Sequence, residues 1–497
     1  DVQKRRLNVL SRAFSARRRV YRVFFFYPTM RHFLLLVSCY LLLPISGIAA
    51  DRPNILILFI DDMGYGDPSS FGNELVSTPN IDRLATEGRR FTNFYVNSPI
   101  CSASRVALST GQYQQRWRIQ SHLASRKQNE ERKMVHFLEP SAIHTAQLFQ
   151  DAGYQTAHFG KWHMGGGRDV DDAPHPSAYG FDESLVSFEG LGDRLLFGTT
   201  GLNGASAKLG QGNITQVEKR DMTRIYADHA IDFLDRVGDE PFYLELFPND
   251  VHDQFLPTAE DAAKFAPITD NPEEQKFFAV LTEMDRQIGR VLDHLEATEL
   301  DDNTIVIFTS DNGATDWPRY YKAGIEPPGS SGPFFGRKWS LYEGGIRMPF
   351  IIRWPDHVPA QTTDNISVIA AFDMQPSLLN LAGLRPPAGK LYDGRDRSAI
   401  LLGEPALRDS SMFWEFGAFG GIQPGKAEHI SPHLAMRLGN WKFLINPDGS
   451  SARLHDLSTD IRERTNLTAS HPALVASLTE RTLKWWSEMS AYYARDL

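Results

Sequence analysis

Long apolar runs that stop abruptly at polar side chains are the clearest pattern in this sequence. Four such runs occupy residues 54–60, 155–159, 242–246 and 304–310, and most of them are rich in Ile, Val, Leu and Phe. Near-continuous apolar runs are typical of strands whose two faces are both buried in a parallel sheet. Polar or charged residues follow each run within three positions and would therefore lie at the carboxyl ends of the strands.

Helical patterns separate these predicted strands. Apolar residues recur at helical spacing over residues 81–87, 145–152, 223–237 and 277–295. Alternation on this scale predicts an α/β fold with a large, doubly wound, mixed but mostly parallel sheet flanked by helices. Ligands bind beyond the carboxyl ends of the strands in such sheets, so we expect all four polar clusters to face one crevice.

Residues 30–50 have the layout of a signal peptide. A short basic start at Arg31 precedes an apolar core over residues 33–43, and small residues up to Ala50 offer a cleavage site. We therefore expect residues 1–29 to be a non-native or mis-assigned upstream extension. The mature chain is expected to be exported, periplasmic or secreted. No other apolar run of about 18 residues occurs, so no membrane span is expected in the mature chain.

Composition narrows the class of ligand. The 497 residues are 42% hydrophobic and 23% charged, which is ordinary for a globular protein. The formal net charge of −9 argues against a nucleic-acid binder, which needs a basic surface. An anionic substrate stays compatible with this charge, because a local group of cations and a metal can outweigh it.

Oxygen-bearing side chains follow two of the predicted strands. Asp61 and Asp62 come after the first run, and Asp311 and Asn312 come after the last. Such oxygens are ligands suited to Ca²⁺ or Mg²⁺ rather than zinc. Adjacent aspartates also repel each other unless a cation lies between them. These four residues are therefore candidate metal ligands; the alternative is that the aspartates only cap helices.

Cys101 is the one cysteine left if the signal peptide, with Cys39, is removed. It precedes a helical run over residues 104–108, and a helix N-terminus favours negative charge. Arg105 follows four residues later, about one turn along the same face. The segment is thus an anion site that holds a nucleophile, unless Cys101 is only a buried small hydrophobe.

Cationic side chains complete the candidate pocket. The positive set consists of Arg105, Lys161, His163, His252 and Lys338. Each of them alone is better explained as a solvated side chain or a satisfied core residue. Together with the acidic strand ends, they resemble a pocket for a tetrahedral dianion or monoester.

The segment from Cys101 to Arg105, followed by Leu108, Thr110 and Gly111, resembles the signature of the type I, formylglycine-dependent sulfatases. That family has the alkaline-phosphatase superfold. Further motifs of the family are matched along nearly the whole mature chain, at residues 61–67, 78–84, 160–165, 249–257, 336–338 and 343–349.

The resemblance implies hydrolysis of a sulfate monoester by S–O cleavage. Because an exported enzyme meets polymers more often than cytosolic metabolites, a sulfated carbohydrate is the expected substrate. A maturation enzyme would oxidise Cys101 to formylglycine, whose hydrate attacks sulfur. Ala103 stands where the family more often has proline, which bears on which maturation enzyme accepts the chain. The implied metal ligands are Asp61, Asp62, Cys101, Asp311 and Asn312, with Ca²⁺ as the ion and Mg²⁺ as the alternative.

The resemblance also implies a role for each cationic residue. Arg105, Lys161 and Lys338 would offset charge on the sulfuryl oxygens. His252 would protonate the leaving alcohol, and His163 would hold the hydrate and then take its second proton. The implied catalytic residues are Cys101, Arg105, Lys161, His163, His252 and Lys338.

The end of the chain has a different pattern. Strand-like pieces and one amphipathic helix occur at residues 411–416, 435–437, 441–446, 452–455 and 472–493. They resemble the small antiparallel sheet with a helix that packs on the sulfatase core. The resemblance therefore implies a catalytic domain over residues 51–405 and a C-terminal α+β subdomain over residues 406–497.

Two alternative functions stay open at this point. Formylglycine also occurs in phosphonate hydrolases of the same superfold, so a phosphodiester or phosphonate hydrolase is one alternative. The other is a protein that binds sulfated glycans without turnover, although a pure binder has no need of Cys101. The aromatic residues Trp317, Tyr320, Tyr321 and Phe334 suit either stacking on a sugar or packing of a loop.

Overall fold

The fold is built on one large sheet. The computed structural model describes residues 52–166, 168–188, 190–198 and 201–494, apart from the side chains of 201–203. The predicted extension 1–29 and signal peptide 30–50 lie outside these residues. The strands of this sheet are β1 Asn54–Ile60, β2 Arg89–Tyr95, β3 Gln155–Lys161, β4 Glu183–Ser187, β5 Arg194–Leu196, β6 Ile214–Gln216, β7 Phe242–Phe247, β8 Thr304–Ser310, β9 Arg347–Arg353, β10 Thr362–Asp364 and β11 Ile369–Ala370.

The strands are arranged in the order β10-β2-β9-β8-β1-β7-β3-β4-β5-β6, and β11 pairs with β2. β1 runs parallel to β7 and β8, and β3 runs parallel to β7. β9 is antiparallel to both of its neighbours, β2 and β8. The predicted mixed, mostly parallel sheet is therefore confirmed. Its four predicted strands are adjacent, so their carboxyl ends share one edge.

Helices cover both faces of the large sheet. Side chains of β1 alternate between the faces: Ile55 belongs to the core that includes α2, α4 and α11, and Leu56 to the core beneath α1, α6 and α8. None of the described helices has the length and apolar character needed to cross a bilayer. The helices are α1 Pro79–Glu87, α2 Cys101–Thr110, α3 Arg126–Glu131, α4 Thr145–Asp151, α5 Gly201–Ser206, α6 Met222–Val237, α7 Ala259–Ala263, α8 Pro272–Ala297, α9 Pro318–Lys322, α10 Glu343–Ile346, α11 Met374–Leu381, α12 Ser398–Leu401 and α13 Pro472–Tyr493.

A second, smaller sheet follows in the chain. Its strands are β12 Met412–Glu415, β13 Leu434–Leu438, β14 Trp441–Ile445 and β15 Arg453–Asp456, which pair antiparallel in chain order. Helix α13 buries Leu478 against this sheet. Trp414 joins the sheet to the main core, because its Nε1 donates to the carbonyl oxygen of Val96 at 2.8 Å. The predicted antiparallel sheet with a helix is confirmed, and the boundary at residue 405 stays a prediction.

A buried charge network connects the small sheet to α10. Lys442 Nζ lies 2.9 Å from Glu343 Oε1 and 3.5 Å from Glu463 Oε1. The backbone N–H of Glu343 donates to Glu463 Oε2 at 2.7 Å. All three side chains are fully buried. Because Lys338 lies five residues before Glu343, the network also anchors the segment that carries a candidate site residue.

Replacing Lys442 by methionine should destabilise the protein strongly. The substitution leaves two buried carboxylates without their shared cation, and breaking a buried pair in this way costs about 3–5 kcal/mol. Urea unfolding of Lys442→Met measures the loss. Lys484→Met, at an exposed position of α13, is the matched control and should stay within about 0.5 kcal/mol of wild type. A loss below about 1 kcal/mol for Lys442→Met would contradict the role of the network.

Candidate functional site

The candidate site lies at the carboxyl edge of the central strands. Asp61 and Asp62 follow β1, and Asp311 and Asn312 follow β8. β1 and β8 stay paired to their last residues, so the two acidic turns lie side by side. The backbone N–H of Asp62 donates to Asp311 Oδ1 at 3.1 Å. Asp62 itself has a φ of 63°, a left-handed conformation that aspartate adopts more readily than most residues.

Two cations pair with Asp61 and Asp311. Lys161, the last residue of β3, donates from Nζ to both oxygens of Asp61 at 2.7 Å. Arg105 Nη2 donates to Asp311 Oδ2 at 2.7 Å, and its Nη1 donates to the carbonyl oxygen of Lys161 at 2.9 Å. All four side chains are fully buried. Burial raises the pKa of Asp61, but Lys161 and the other cations outweigh it and hold that pKa well below the ordinary value.

The pKa of Asp311 is shifted in the direction opposite to that of Asp61. Burial and the neighbouring Asp61 raise the pKa of Asp311 to about 6, against the opposing charge of Arg105. Both oxygens of Asp311 are already engaged, one by Arg105 and the other by the backbone of Asp62. Asp311 therefore fixes the positions of the Arg105 side chain and of the backbone at Asp62.

Cys101 is the first residue of α2 and faces the second aspartate. Its Sγ lies 3.4 Å from Lys338 Nζ and 3.8 Å from Asp62 Oδ1. Lys338 Nζ also donates to Asp62 Oδ1. Burial raises the pKa of the Cys101 thiol far above its ordinary value, although Lys161 and Lys338 oppose the shift. The side chain is therefore held as a neutral thiol, which is a poor nucleophile.

Donor atoms suited to a metal converge at the same point. One donor atom each from Asp61, Asp62, Cys101 and His252 lie within 4.8 Å of one another. Asp62 Oδ2 and Asn312 Oδ1 are buried and, within the described part of the chain, accept no hydrogen bond. Buried oxygens without donors are costly unless a cation compensates them, so these residues fit a hard metal ion. Sequence reasoning did not include His252 in this group.

The two candidate histidines flank Phe188. His252 Nε2 lies 3.7 Å from Asp62 Oδ2, and its ring centroid is 5.3 Å from that of Phe188. Burial lowers the pKa of His252 to about 3, although the neighbouring aspartates oppose the shift. The ring of His163 is 6.2 Å from that of Phe188, and its Nε2 lies 3.3 Å from the carbonyl oxygen of Leu123. His252 thus belongs to the group of candidate metal donors, whereas His163 lies outside that group.

Sequence reasoning missed Lys219, which fixes the segment that carries His252. Lys219 is buried, and its Nζ donates to the carbonyl oxygens of Asp250 at 3.4 Å, of Gln254 at 2.7 Å and of His252. Burial lowers the pKa of Lys219 to about 8, against the opposing charge of Asp250. No sequence signal marks this lysine, because its partners are backbone carbonyls that any residue supplies.

The aromatic residues noted in the sequence are mostly packed against other parts of the protein and not exposed to a ligand. Tyr320 and Phe334 are 3% and 8% exposed, and the hydroxyl of Tyr321 donates to Asp316. Among these four residues, Trp317 alone forms part of the wall of an open cavity beside His252. Packing within a loop therefore describes Tyr320 and Phe334.

Comparison with known protein families identifies the type of site. The family profile described as Sulfatase matches residues 53–384. A second profile, described as N-sulphoglucosamine sulphohydrolase, C-terminal, matches residues 331–486. The first of these ranges contains every candidate site residue named above.

Similar proteins agree with the family profiles. An N-acetylgalactosamine-6-O-sulfatase of Bacteroides thetaiotaomicron is 28% identical, over 88% of this chain and 93% of its own length. The human N-acetylgalactosamine-6-sulfatase is 33% identical, over 74% of this chain and 69% of its own length. The crystal structure of Ps i-CgsB has a TM-score of 0.72 at 27% identity and covers 89% of this chain and 94% of its own. A structure of Ps i-CgsB in complex with k-i-k-neocarrahexaose has a TM-score of 0.71 at 25% identity, with the same coverage of both chains.

Removing the ammonium group of Lys219 should loosen the segment around His252. Lys219→Met frees three carbonyl oxygens, so amide hydrogen exchange of residues 249–256 should become at least about tenfold faster, while that of β7 stays unchanged. Lys264→Met, at an exposed position in the same half of the chain, is the control. Unchanged exchange over residues 249–256 in Lys219→Met would show that other contacts hold this segment.

Proposed function

The chain belongs to the sulfatase family and is a sulfuric ester hydrolase, and we propose that it desulfates carbohydrates through a formylglycine formed from Cys101. The position of Cys101 carries the proposal. Its Sγ lies between Lys338 and the carboxylate of Asp62, at the N-terminus of α2. The hydrate of a formylglycine at this point has two hydroxyls: one attacks sulfur, and loss of the proton of the other expels sulfate and regenerates the aldehyde, which a thiol cannot do.

The similar proteins support a sulfated carbohydrate as substrate. Two of them are named for N-acetylgalactosamine 6-sulfate, and Ps i-CgsB has been solved with a neocarrahexaose bound. The signal-peptide layout of residues 30–50 indicates export, periplasmic or secreted, which would bring the enzyme to such polymers. A formylglycine-generating enzyme of the host would be the required maturation partner.

A hard cation fits the group of oxygens. Asp61, Asp62, Asp311, Asn312 and the oxidised Cys101 side chain would hold Ca²⁺, with Mg²⁺ as the alternative. The unpartnered oxygens of Asp62 and Asn312 support this assignment. When bound, the ion supplies positive charge that polarises the sulfate group and lowers the pKa of a hydroxyl beside it. Formylglycine supplies that hydroxyl as the hydrate of its aldehyde.

The residues of the chain would bind the ester and move protons. Arg105, Lys161 and Lys338 offset the negative charge on the sulfuryl oxygens, and their ion pairs with the aspartates keep them oriented. His252 donates a proton to the leaving oxygen. The negative charge of a bound ester favours the protonated imidazole and so opposes the effect of burial. His163 accepts the proton of the second hydroxyl as sulfate is released.

Cys101→Ala should abolish turnover and leave the fold intact. Loss of the nucleophile should lower kcat on an aryl sulfate by more than about 10³-fold. Mass spectrometry should find an aldehyde in the wild-type peptide that contains residue 101. Ser109→Ala, two turns further along α2, is the matched control and should retain most activity. Activity of Cys101→Ala within about tenfold of wild type would exclude the formylglycine mechanism.

His252→Ala should be most damaging when the leaving group is poor. General acid catalysis contributes about 10²–10⁴-fold, and a sugar alkoxide needs that proton far more than a nitrophenolate does. The ratio of the losses in kcat on a sulfated sugar and on nitrophenyl sulfate measures this dependence. The exposed His175→Ala is the control. Equal losses on the two substrates would mean that His252 positions sulfate, and Lys338 would be the next candidate acid.

Chelation of divalent cations should lower both activity and thermal stability. An ion that binds only the folded chain stabilises it by mass action, so its removal should lower Tm by about 2–5 °C. Addition of Ca²⁺ should restore both quantities. Asn312→Ala, which removes one proposed ligand, should weaken the rescue by Ca²⁺. An unchanged Tm together with an unchanged rate after exhaustive chelation would rule out the metal site.

A further inference from the structure

An open cavity adjoins the candidate site on the side of His252. Its volume is about 560 Å³, and its wall includes Phe188, His252, Asp253, Trp317 and Arg319. Cavities of this size hold small organic ligands. A general acid contacts the leaving oxygen, so the group attached to that oxygen must lie next to His252 and away from the sulfuryl group. His252 lines the cavity, so the cavity can receive that group.

One ion pair forms the polar part of the cavity wall. Arg319 Nη2 donates to Asp253 Oδ1, and the hydroxyl of Tyr320 donates to the same oxygen at 3.0 Å. The side chain of Asp253 is 3% exposed, whereas that of Arg319 is 48% exposed. Both of these donors use Oδ1, and Asp253 forms part of the cavity wall.

The carboxylate of Asp253 is held firmly before any ligand arrives. Tyr320 is buried and donates to it, and the Lys219 ammonium binds the carbonyl oxygens on both sides, those of His252 and Gln254. A polar group whose position is fixed by its neighbours discriminates among ligands better than a mobile one. Asp253 and Arg319 thus present an acceptor and a donor at a fixed separation.

The charge of the cavity wall indicates what kind of group it accepts. The two acids, Glu218 and Asp253, are matched by the two bases, Lys219 and Arg319. Trp317 adds an aromatic surface, and its ring is braced at 4.8 Å by that of Trp339. An acceptor, a donor and an aromatic ring without net charge suit a sugar ring with hydroxyl or amide groups. A carboxylate or second sulfate on that ring would lose its hydration in this cavity, and a wall without net positive charge would not compensate that loss.

We infer that this cavity binds the sugar that carries the sulfate, and that Asp253 and Arg319 select a ring without a second acidic group. The inference rests on the proposed function, because it places the leaving group of the sulfate ester in the cavity. Asp253 and Arg319 act on binding of the sugar and take no part in breaking the S–O bond. Their effect therefore depends on the substrate, which a purely structural role would not produce.

The test compares three sulfate esters as substrates of wild type, Arg319→Ala and Asp253→Asn. The esters are N-acetylgalactosamine 6-sulfate, a sulfated glucuronic acid and nitrophenyl sulfate. Arg319→Ala should lower kcat/KM on the neutral sugar by about 10- to 100-fold, the loss expected for a hydrogen bond to a charged group. Its loss on nitrophenyl sulfate should stay below about threefold, because that ring offers no hydroxyl to the pair.

Asp253→Asn should change the preference as well as the rate. The variant leaves Arg319 without its carboxylate, so the ratio of kcat/KM for the glucuronate to that for the neutral sugar should rise by about tenfold. Arg236→Ala removes an exposed arginine that pairs with Glu183, away from the cavity, and should leave all three rates unchanged.

Equal losses on all three esters in both variants would overturn the inference, as would unchanged turnover of the neutral sugar. About half of the Arg319 side chain is exposed, so its variant tests the inference even if Asp253→Asn does not fold. A wild-type enzyme that turns over nitrophenyl sulfate but prefers the glucuronate would refute the selection of a neutral ring and leave the proposed function standing. No turnover of any ester by wild type would refute the proposed function and this inference together.

Discussion

The burial of three carboxylates at one edge of the central sheet determines where the surrounding elements must supply cations. A buried charge without a partner costs several kcal/mol, so each aspartate needs a cation nearby. Arg105 comes from α2, Lys161 from β3 and Lys338 from the segment before α10. These elements must converge on the carboxyl ends of β1 and β8 for the fold to be stable. The same cations are those that an anionic ester requires.

The small sheet contributes to this site without touching it. Lys338 lies in a segment whose neighbours are tied at several points. The backbone N–H of Trp339 donates to the carbonyl of Pro99 at 3.0 Å, and the backbone N–H of Leu341 donates to Ser431 Oγ at 2.9 Å. Lys442 then holds Glu343 from β14. The C-terminal part of the chain thus supports the position of a candidate catalytic lysine, which gives a physical reason for its presence beside the large sheet.

The sequence pattern predicted the central strands because their burial on both faces leaves a continuous apolar run, as in β1 and β8. It did not predict β2 or β9. β2 begins with two arginines and has neither a continuous apolar run nor a regular alternation of polar and apolar residues. β9 begins with Arg347 inside a segment that was interpreted only as a motif. The short strands β5 and β6 contain three residues each, too few for a periodic pattern.

The site residues were predictable to different degrees. Those at the ends of predicted parallel strands could be expected to converge, because such ends share an edge, and the family resemblance supplied their roles. Lys219, Asp253 and Arg319 could not be expected from pattern. Lys219 binds backbone carbonyls, and Asp253 pairs with Arg319 across 66 positions of the chain, so neither role leaves a local signal.

The proposed mechanism requires the chain to cleave a sulfate ester at the bond between sulfur and oxygen. Turnover of a sulfated sugar in water labelled with heavy oxygen distinguishes this cleavage from cleavage at carbon. Attack at sulfur through the hydrated side chain of residue 101 places the heavy oxygen in the released sulfate and leaves the sugar alcohol unlabelled. Heavy oxygen in the sugar alcohol would show cleavage at carbon and would contradict the account.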